Sequence, residues 1–184
     1  MSNLHISIKN IFILLAFIAF SINTAHAASS VEIDIKVEEA LKRFKVEVPG
    51  AEKFLARAAG VLVFPDVVKA GFGIGGEYGE GALLIKGKTV DYYNTAAASI
   101  GFQIGAQFKT VMMVFLKKDA LTKFRKSKGW EAGVDGSVAL IELGAAKDIN
   151  SINYDDPIVG FVFSNKGLMY NLTLEGSKIT KLNK

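Results

Sequence analysis

The spacing of apolar residues predicts helices at the start of the chain. From Ile33 to Phe44 they recur every three or four positions, with charged residues between them, which is the period of one helix face. A proline–glycine pair at 49–50 interrupts the pattern. We therefore predict a helix from residue 30 and a second, short helix over 51–59.

Beyond residue 60 the pattern changes to short β-branched and aromatic runs, which are typical of strands. The first run, 61–64, is followed by Pro65-Asp66, where we predict that it ends. Residues 82–85 and 89–93 flank a glycine-containing turn and predict a hairpin. Further strands are predicted at 111–116, 138–143, 158–164, 168–174 and 178–182, with a tight turn at 165–167.

Six glycines fall within residues 71–81. Their G-x-G-x-x-G spacing resembles a dinucleotide-binding loop, but such a loop needs a following helix to hold the pyrophosphate. Here a β-like segment with Glu77 and Glu80 follows, so we reject a nucleotide site. We expect the glycines to let the sheet bend sharply or another element pack closely. A weaker version of the same glycine pattern recurs thirty residues later, at 101–105. The candidate structural glycines are Gly71, Gly73, Gly75, Gly76, Gly101 and Gly105.

These patterns predict an α+β fold. One or two N-terminal helices pack on a strongly bent, mostly antiparallel, glycine-rich sheet, which closes partly into a barrel.

The first 27 residues have the three-part order of a secretory signal peptide. A short polar opening with Lys9 precedes the apolar run 11–20, and Ala25 and Ala27 place small residues before the cleavage point. An uncleaved membrane anchor is the alternative, but a run of ten apolar residues is short for a membrane-spanning helix. We expect cleavage before Ala28, which leaves a single domain over 28–184.

Composition excludes several kinds of active site. The chain has no cysteine, and its two histidines, His5 and His26, lie in the predicted signal peptide. Without imidazole or thiol, the domain cannot form Ser–His or Cys–His nucleophile systems or the usual zinc sites.

Carboxylate chemistry is the remaining route to an enzyme. We interpret the pair at 155–156, before a proline, as a turn. Glu131 and Asp135 are interpreted as the solvated face of a strand. A carboxylate-based hydrolase stays a third hypothesis with no identifiable acidic pair, and we predict a protein that is not an enzyme and has no cofactor.

Charge is unevenly distributed along the chain. Without Lys9, 21 basic and 18 acidic residues remain, a net charge of +3, which argues against nucleic acid as a partner and is compatible with an anionic surface. Residues 117–128 contain six lysines and arginines and predict a short helix with Leu121 and Phe124 inward. This basic face is either simply solvated or a docking face for anionic headgroups.

The first helix leaves a similar choice. Its apolar stripe either packs on the sheet or lies on a membrane surface. The candidate lipid-binding cations of the two helices are Lys117, Lys118, Lys123, Arg125, Lys126 and Lys128, with Lys36, Lys42 and Arg43.

Five segments together resemble the SYLF-domain family. They are GVLVFP at 60–65, KAGFGIGG at 69–76, GFQIGAQ at 101–107, KGL at 166–168 and LEGS at 174–177. The resemblance implies a domain that binds membrane lipids, notably acidic phosphoinositides, associates with actin in fungal members, and has no enzymatic activity.

The chain departs from that family in one stretch. Members often carry Trp and Pro before the GFQIGAQ segment, whereas residues 90–96 have neither and the single tryptophan is Trp130. A signal peptide followed by one domain is similar to the exported bacterial branch. Actin and phosphoinositides are eukaryotic ligands, so actin is not expected as a partner.

We therefore expect a non-enzymatic domain that contacts anionic lipid in the periplasm of a Gram-negative bacterium. One alternative is a periplasmic module that binds an envelope protein and no lipid. The other is a small outer-membrane β-barrel, which the continuously apolar run 111–116 disfavours because a spanning strand should alternate.

Overall fold

The computed structural model describes residues 28–142, 155–167, 174 and 176–184. Within them, the helices are α1 (Ser30–Glu47), α2 (Ala51–Ala56) and α3 (Lys118–Lys126). The strands are β1 (Gly60–Ile85), β2 (Lys88–Phe115), β3 (Trp130–Glu131), β4 (Ala139–Glu142), β5 (Ile158–Gly167) and β6 (Lys178–Leu182). The predicted signal peptide and nearly all of the predicted strand at 168–174 lie outside the described residues.

The two N-terminal helices form where the apolar period predicted them. Ser29 caps α1, because its hydroxyl oxygen accepts the backbone N–H of Glu32 at 3.2 Å. Gly50 then takes a left-handed conformation with φ of 85° and connects the helices. The predicted end of α2 at residue 59 is wrong, since the N–H of Ala59 already donates to the carbonyl of Phe115 in the sheet.

β1 and β2 form one long antiparallel hairpin. Its two-residue turn, Lys86-Gly87, has φ values of 51° and 76°, as a type I′ turn requires, which confirms the predicted hairpin. The predicted strand end at Pro65-Asp66 is wrong. The pair forms a bulge in β1, where the pairing register shifts between Phe64 and Val67 and strand pairing then continues.

Glycines fold this hairpin back on itself. A Cβ at Gly71 would lie 2.5 Å from the Cα of Gly75, and a Cβ at Gly81 would lie 2.0 Å from the carbonyl oxygen of Val63. The first part of β1 thus passes directly over its last part, at a separation that leaves no room for a side chain at Gly81. The predicted bend and the predicted close packing are both confirmed.

Other candidate glycines lie in the same region, and they differ in whether the local structure requires glycine. Gly73 lies where the register shifts, opposite residues 101–103 of β2. Gly105 has φ of 136°, which favours glycine. A Cβ at Gly76 would meet nothing within 4 Å, so packing does not require glycine there.

The other strands extend the sheet from β2. Its order is β3-β6-β2-β5-β4, with β1 paired to β2, and only β4 and β5 are parallel among the pairs described. The predicted turn at 165–167 is wrong, because Lys166 and Gly167 pair with Phe108 and Gln107 of the long strand β2. The mostly antiparallel, strongly curled sheet of the predicted α+β fold is confirmed, and it forms a half-barrel.

Two apolar clusters occupy opposite faces of the sheet. Successive side chains of a strand point to opposite faces, and Met112 belongs to the cluster under α1 whereas Met113 belongs to the cluster under α3. Ala82 and Leu83 divide in the same way. The helices α1 and α3 therefore lie on opposite faces of the sheet.

Two predicted acidic features occur in turns. Glu131 ends β3, and the carboxylate of Asp135 accepts its backbone N–H at 2.7 Å. The predicted shared strand face is therefore wrong, because residues 133–135 form a turn. Asp155 lies in a turn before Pro157, as predicted, with a side chain that is 92% exposed.

Candidate functional site

The inner side of α3 fixes which of its residues face solvent. Leu121 and Phe124 are buried, and the ring of Phe124 packs against Tyr93, Phe115 and Trp130 at centroid distances of 4.9, 4.9 and 5.7 Å. Aromatic contacts on three sides leave the helix one orientation. The two predicted inward residues are confirmed, and the remaining side chains of α3 form its outer face.

That outer face is strongly basic. Residues 117–128 carry six cations and one acid, Asp119, and all six cations are exposed. Within the described part of the chain, four of them make no ion pair: Lys118, Lys123, Lys126 and Lys128. We call these four the α3 lysines. Unpaired charges on one surface produce a positive potential that attracts anions.

The other two cations are tied to acidic groups. Arg125 Nε lies 3.0 Å from Asp91 Oδ2, and the Asp91 side chain is only 8% exposed and also contacts Lys181. Lys117 Nζ lies 3.7 Å from Asp155 in an exposed pair. Arg125 therefore fastens α3 to β2, and it is a poorer candidate for lipid contact than its position on the helix suggests.

The cations of α1 have a different setting. Lys36 Nζ lies 2.9 Å from Glu32 and 3.2 Å from Asp66, and Lys42 Nζ lies 2.8 Å from Glu38. Hydrogen bonds that Lys36 donates to Glu32 and then to Asp66 raise the pKa of Lys36 above its ordinary value. Arg43 is exposed on the same helix. With four basic and five acidic residues, α1 has a net charge of −1.

The apolar stripe of α1 is used for packing. Ile33, Val37, Ala40 and Phe44 are all buried in the cluster between the helix and the sheet. The structure thus places α1 on the sheet, and it does not bring the two predicted sets of cations together.

Sequence reasoning missed a buried polar group inside the curl. Lys109 Nζ lies 2.9 Å from Glu77 Oε2, and the two side chains are 0% and 6% exposed. Lys69 and Gln107, which pair across β1 and β2, are also buried. Glu77 and Lys109 come from opposite sides of the glycine bend, so their ion pair ties its two halves together. The signal available in the sequence was a lysine within each of two otherwise apolar runs, Lys69 in β1 and Lys109 in β2.

An exposed apolar patch was also missed. Val68 and Phe108 pair directly and are 37% and 51% exposed, and Ile74 and Tyr78 follow along β1 at 73% and 48%. By strand alternation these residues share the face that α1 covers further along. We call these four residues the apolar patch.

The described residues contain no cluster of side chains suited to hold a metal ion. In the same part of the chain, none of the helices has the length and apolar character needed to cross a membrane.

Comparison with known proteins adds the family. Residues 96–184 match the family Ysc84, described as Las17-binding protein actin regulator, and no curated protein matches the chain. The match includes α3 and the strands after it, but not α1. In fungi this family is lipid-binding and actin-associated. The predicted resemblance is confirmed: residues 96–184 of this chain are similar to the SYLF-domain family, whose model carries the name Ysc84.

Proposed function

We propose that this chain is an exported, non-enzymatic domain that binds anionic membrane surfaces through the outer face of α3. The observation that carries the proposal is the set of α3 lysines, four exposed cations without an ion pair among the described residues. A lysine near an anionic membrane surface contributes about 1 kcal/mol of binding free energy. Four such residues are sufficient for salt-sensitive, reversible binding.

The packing of α3 on the sheet supports the proposal that its outer face binds the membrane. The buried side chains Leu121 and Phe124 hold α3 against the sheet, and the Arg125–Asp91 pair fixes its far side. Three of the four lysines therefore lie on a helix that is already ordered, and Lys128 lies two residues beyond its end. Binding then costs only the ordering of exposed lysine side chains, since the backbone is fixed beforehand.

Export is the second part of the proposal. It is supported by the three-part pattern of residues 1–27. Las17 and actin are named in the description of the family. A protein exported from a bacterial cytoplasm does not meet actin, so we propose neither as a partner of this chain.

The direct test is sedimentation of residues 28–184 with lipid vesicles. We expect the protein to pellet with vesicles of phosphatidylcholine and phosphatidylglycerol, and to stay in solution with phosphatidylcholine alone. Raising the salt concentration should release it, because salt screens exposed charges. Equal binding to both vesicles, or binding that resists salt, would contradict an electrostatic docking face.

A second candidate function is recognition of an envelope protein, and the apolar patch favours it. Several exposed apolar residues on one face of a sheet are typical of protein interaction sites. A photo-reactive residue placed at position 108 should then cross-link to one discrete protein in intact cells. Labelling of lipid alone would contradict this second function and favour the first.

A further inference from the structure

The point of predicted signal cleavage lies beside an acidic cleft. Ala28 lines a cleft of about 440 Å³ between α1 and the bulge of β1, together with Glu32, Asp66 and Glu80. The side chain of Glu80 is only 10% exposed. A carboxylate this well covered needs donors around it, because an uncompensated buried charge is costly.

Three donors converge on Glu80. Tyr78 Oη donates to Oε1 and Lys184 Nζ donates to Oε2, each at 2.8 Å, and the backbone of Ala28 also hydrogen-bonds the carboxylate. Burial raises the pKa of Glu80, but Lys184, Tyr78 and Ala28 outweigh it and hold the pKa below its ordinary value. Lys184 Nζ additionally donates to the carbonyl oxygen of Ala28.

Signal cleavage changes the chemistry of this backbone nitrogen. A signal peptidase hydrolyses the Ala27–Ala28 bond, so that water supplies a hydroxyl to the carbonyl carbon of Ala27 and a proton to the nitrogen of Ala28. The amide N–H of Ala28 becomes an α-ammonium, which is charged at neutral pH. A charged donor makes a hydrogen bond to a carboxylate about twice as strong as a neutral donor does.

The charges around the cleft favour that cation. Three carboxylates, Glu32, Asp66 and Glu80, face two ammonium groups, Lys36 and Lys184. One further positive charge at Ala28 balances the group. The charge balance therefore favours a cation at Ala28.

We propose that Glu80 is a binding site for the α-ammonium of Ala28, so that removal of the signal peptide locks the new N-terminus onto β1 and Lys184. The lock joins three distant parts of the sequence, since Lys184 follows β6 directly. The lock rests on the proposed export of the chain, but it does not depend on lipid binding, because the site lies on the α1 side of the sheet and α3 lies on the other.

The test compares three forms of the same domain. One begins with a free Ala28, one carries an N-acetyl group on Ala28, and one has a single additional glycine before it. The acetylated form keeps the N–H donor but not the charge, and the extended form moves the charge by one residue. We expect the melting temperature of the free form to exceed both others by roughly 3 °C.

Two variants separate the site from its surroundings. Glu80→Gln should abolish the difference between the free and acetylated forms, whereas Glu38→Gln, which removes an exposed carboxylate of α1 that does not line the cleft, should preserve it. If Glu80→Gln fails to fold, the three forms of the unaltered domain together with Glu38→Gln still decide the question. Equal melting temperatures for all three forms would overturn the proposal, and so would a native N-terminus other than Ala28 in protein sequenced from cells.

Discussion

The helices α1 and α3 are both amphipathic and both carry several basic residues, yet the structure places them in different electrostatic settings. The cations of α1 face an excess of acids on their own helix, and its apolar stripe of four residues is buried in the sheet. On α3 the lysines outnumber the acids and most have no ion pair among the described residues. The number of basic residues alone therefore does not distinguish the two helices, whereas the number of basic residues without an ion pair does.

The positions of α1 and α3 in the fold also separate the two helices. The two helices lie on opposite faces of the sheet, so a flat membrane cannot contact both at once. If α1 were the membrane helix of this protein, it would have to leave a cluster that includes Phe44, Phe161 and Phe163.

The largest effect should come from testing whether α1 belongs to the core. Phe44 is fully buried, with ring centroids 4.8 Å from Phe161 and 5.7 Å from Phe163. Phe44→Ala should lower the free energy of unfolding by about 3–5 kcal/mol, measured by urea denaturation. A loss below about 1 kcal/mol would contradict the packed α1 and revive its membrane role.

A smaller effect should separate the anchoring cation of α3 from the α3 lysines. Arg125→Met removes a partner from the nearly buried Asp91, which keeps Lys181. We expect a loss of about 1 kcal/mol in the free energy of unfolding.

Lys126→Met is the matched control for Arg125→Met, because Lys126 is exposed and makes no ion pair in the described chain. It should change the free energy of unfolding by less than about 0.5 kcal/mol. Equal losses for the two variants would show that the division between anchoring and displayed cations is wrong.

The smallest effect should appear only at high pH. It comes from Tyr93, which lies under α3. Burial raises the pKa of Tyr93 from 10.0 to about 12. The charge of Asp91 adds to this increase, and Arg125 opposes it. Between those values the folded state keeps the proton and the unfolded state loses it, so this contribution to stability is present below pH 10 and lost as pH rises to about 12.

Thermal melts of the domain and of Tyr93→Phe across this range measure that contribution. The melting temperature of Tyr93→Phe should decline less steeply with pH, because phenylalanine has no proton to release. Parallel declines would contradict a Tyr93 hydroxyl buried beneath α3.

Local patterns predicted most elements, because their causes are local. The I′ turn at Lys86-Gly87, the glycine bend and the inward residues of α3 follow from turn chemistry, missing side chains and helical period. The errors at Pro65-Asp66 and 165–167 have one cause. Both segments contain turn residues, but the long strand β2 continues alongside each and pairing overrides the local preference.

The sites were less predictable than the fold. Nothing near Lys109 in sequence indicates that Glu77 lies beside it, since the contact exists only after the hairpin folds back. The choice between α1 and α3 likewise depends on which acids lie close to each cation. The acids on α1 itself were visible in the sequence, whereas the contacts of Asp66 with Lys36 and of Asp91 with Arg125 required the structure.

The measurement that tests the α3 docking face most directly is a matched comparison of vesicle binding. The double variant Lys123→Gln/Lys126→Gln and the double variant Lys42→Gln/Lys45→Gln remove the same charge at the same spacing from exposed positions of α3 and α1. We predict that the α3 variant loses about 30-fold in affinity for vesicles containing phosphatidylglycerol, whereas the α1 variant stays within about twofold. Equal losses, or a larger loss for the α1 variant, would contradict the assignment of membrane binding to α3.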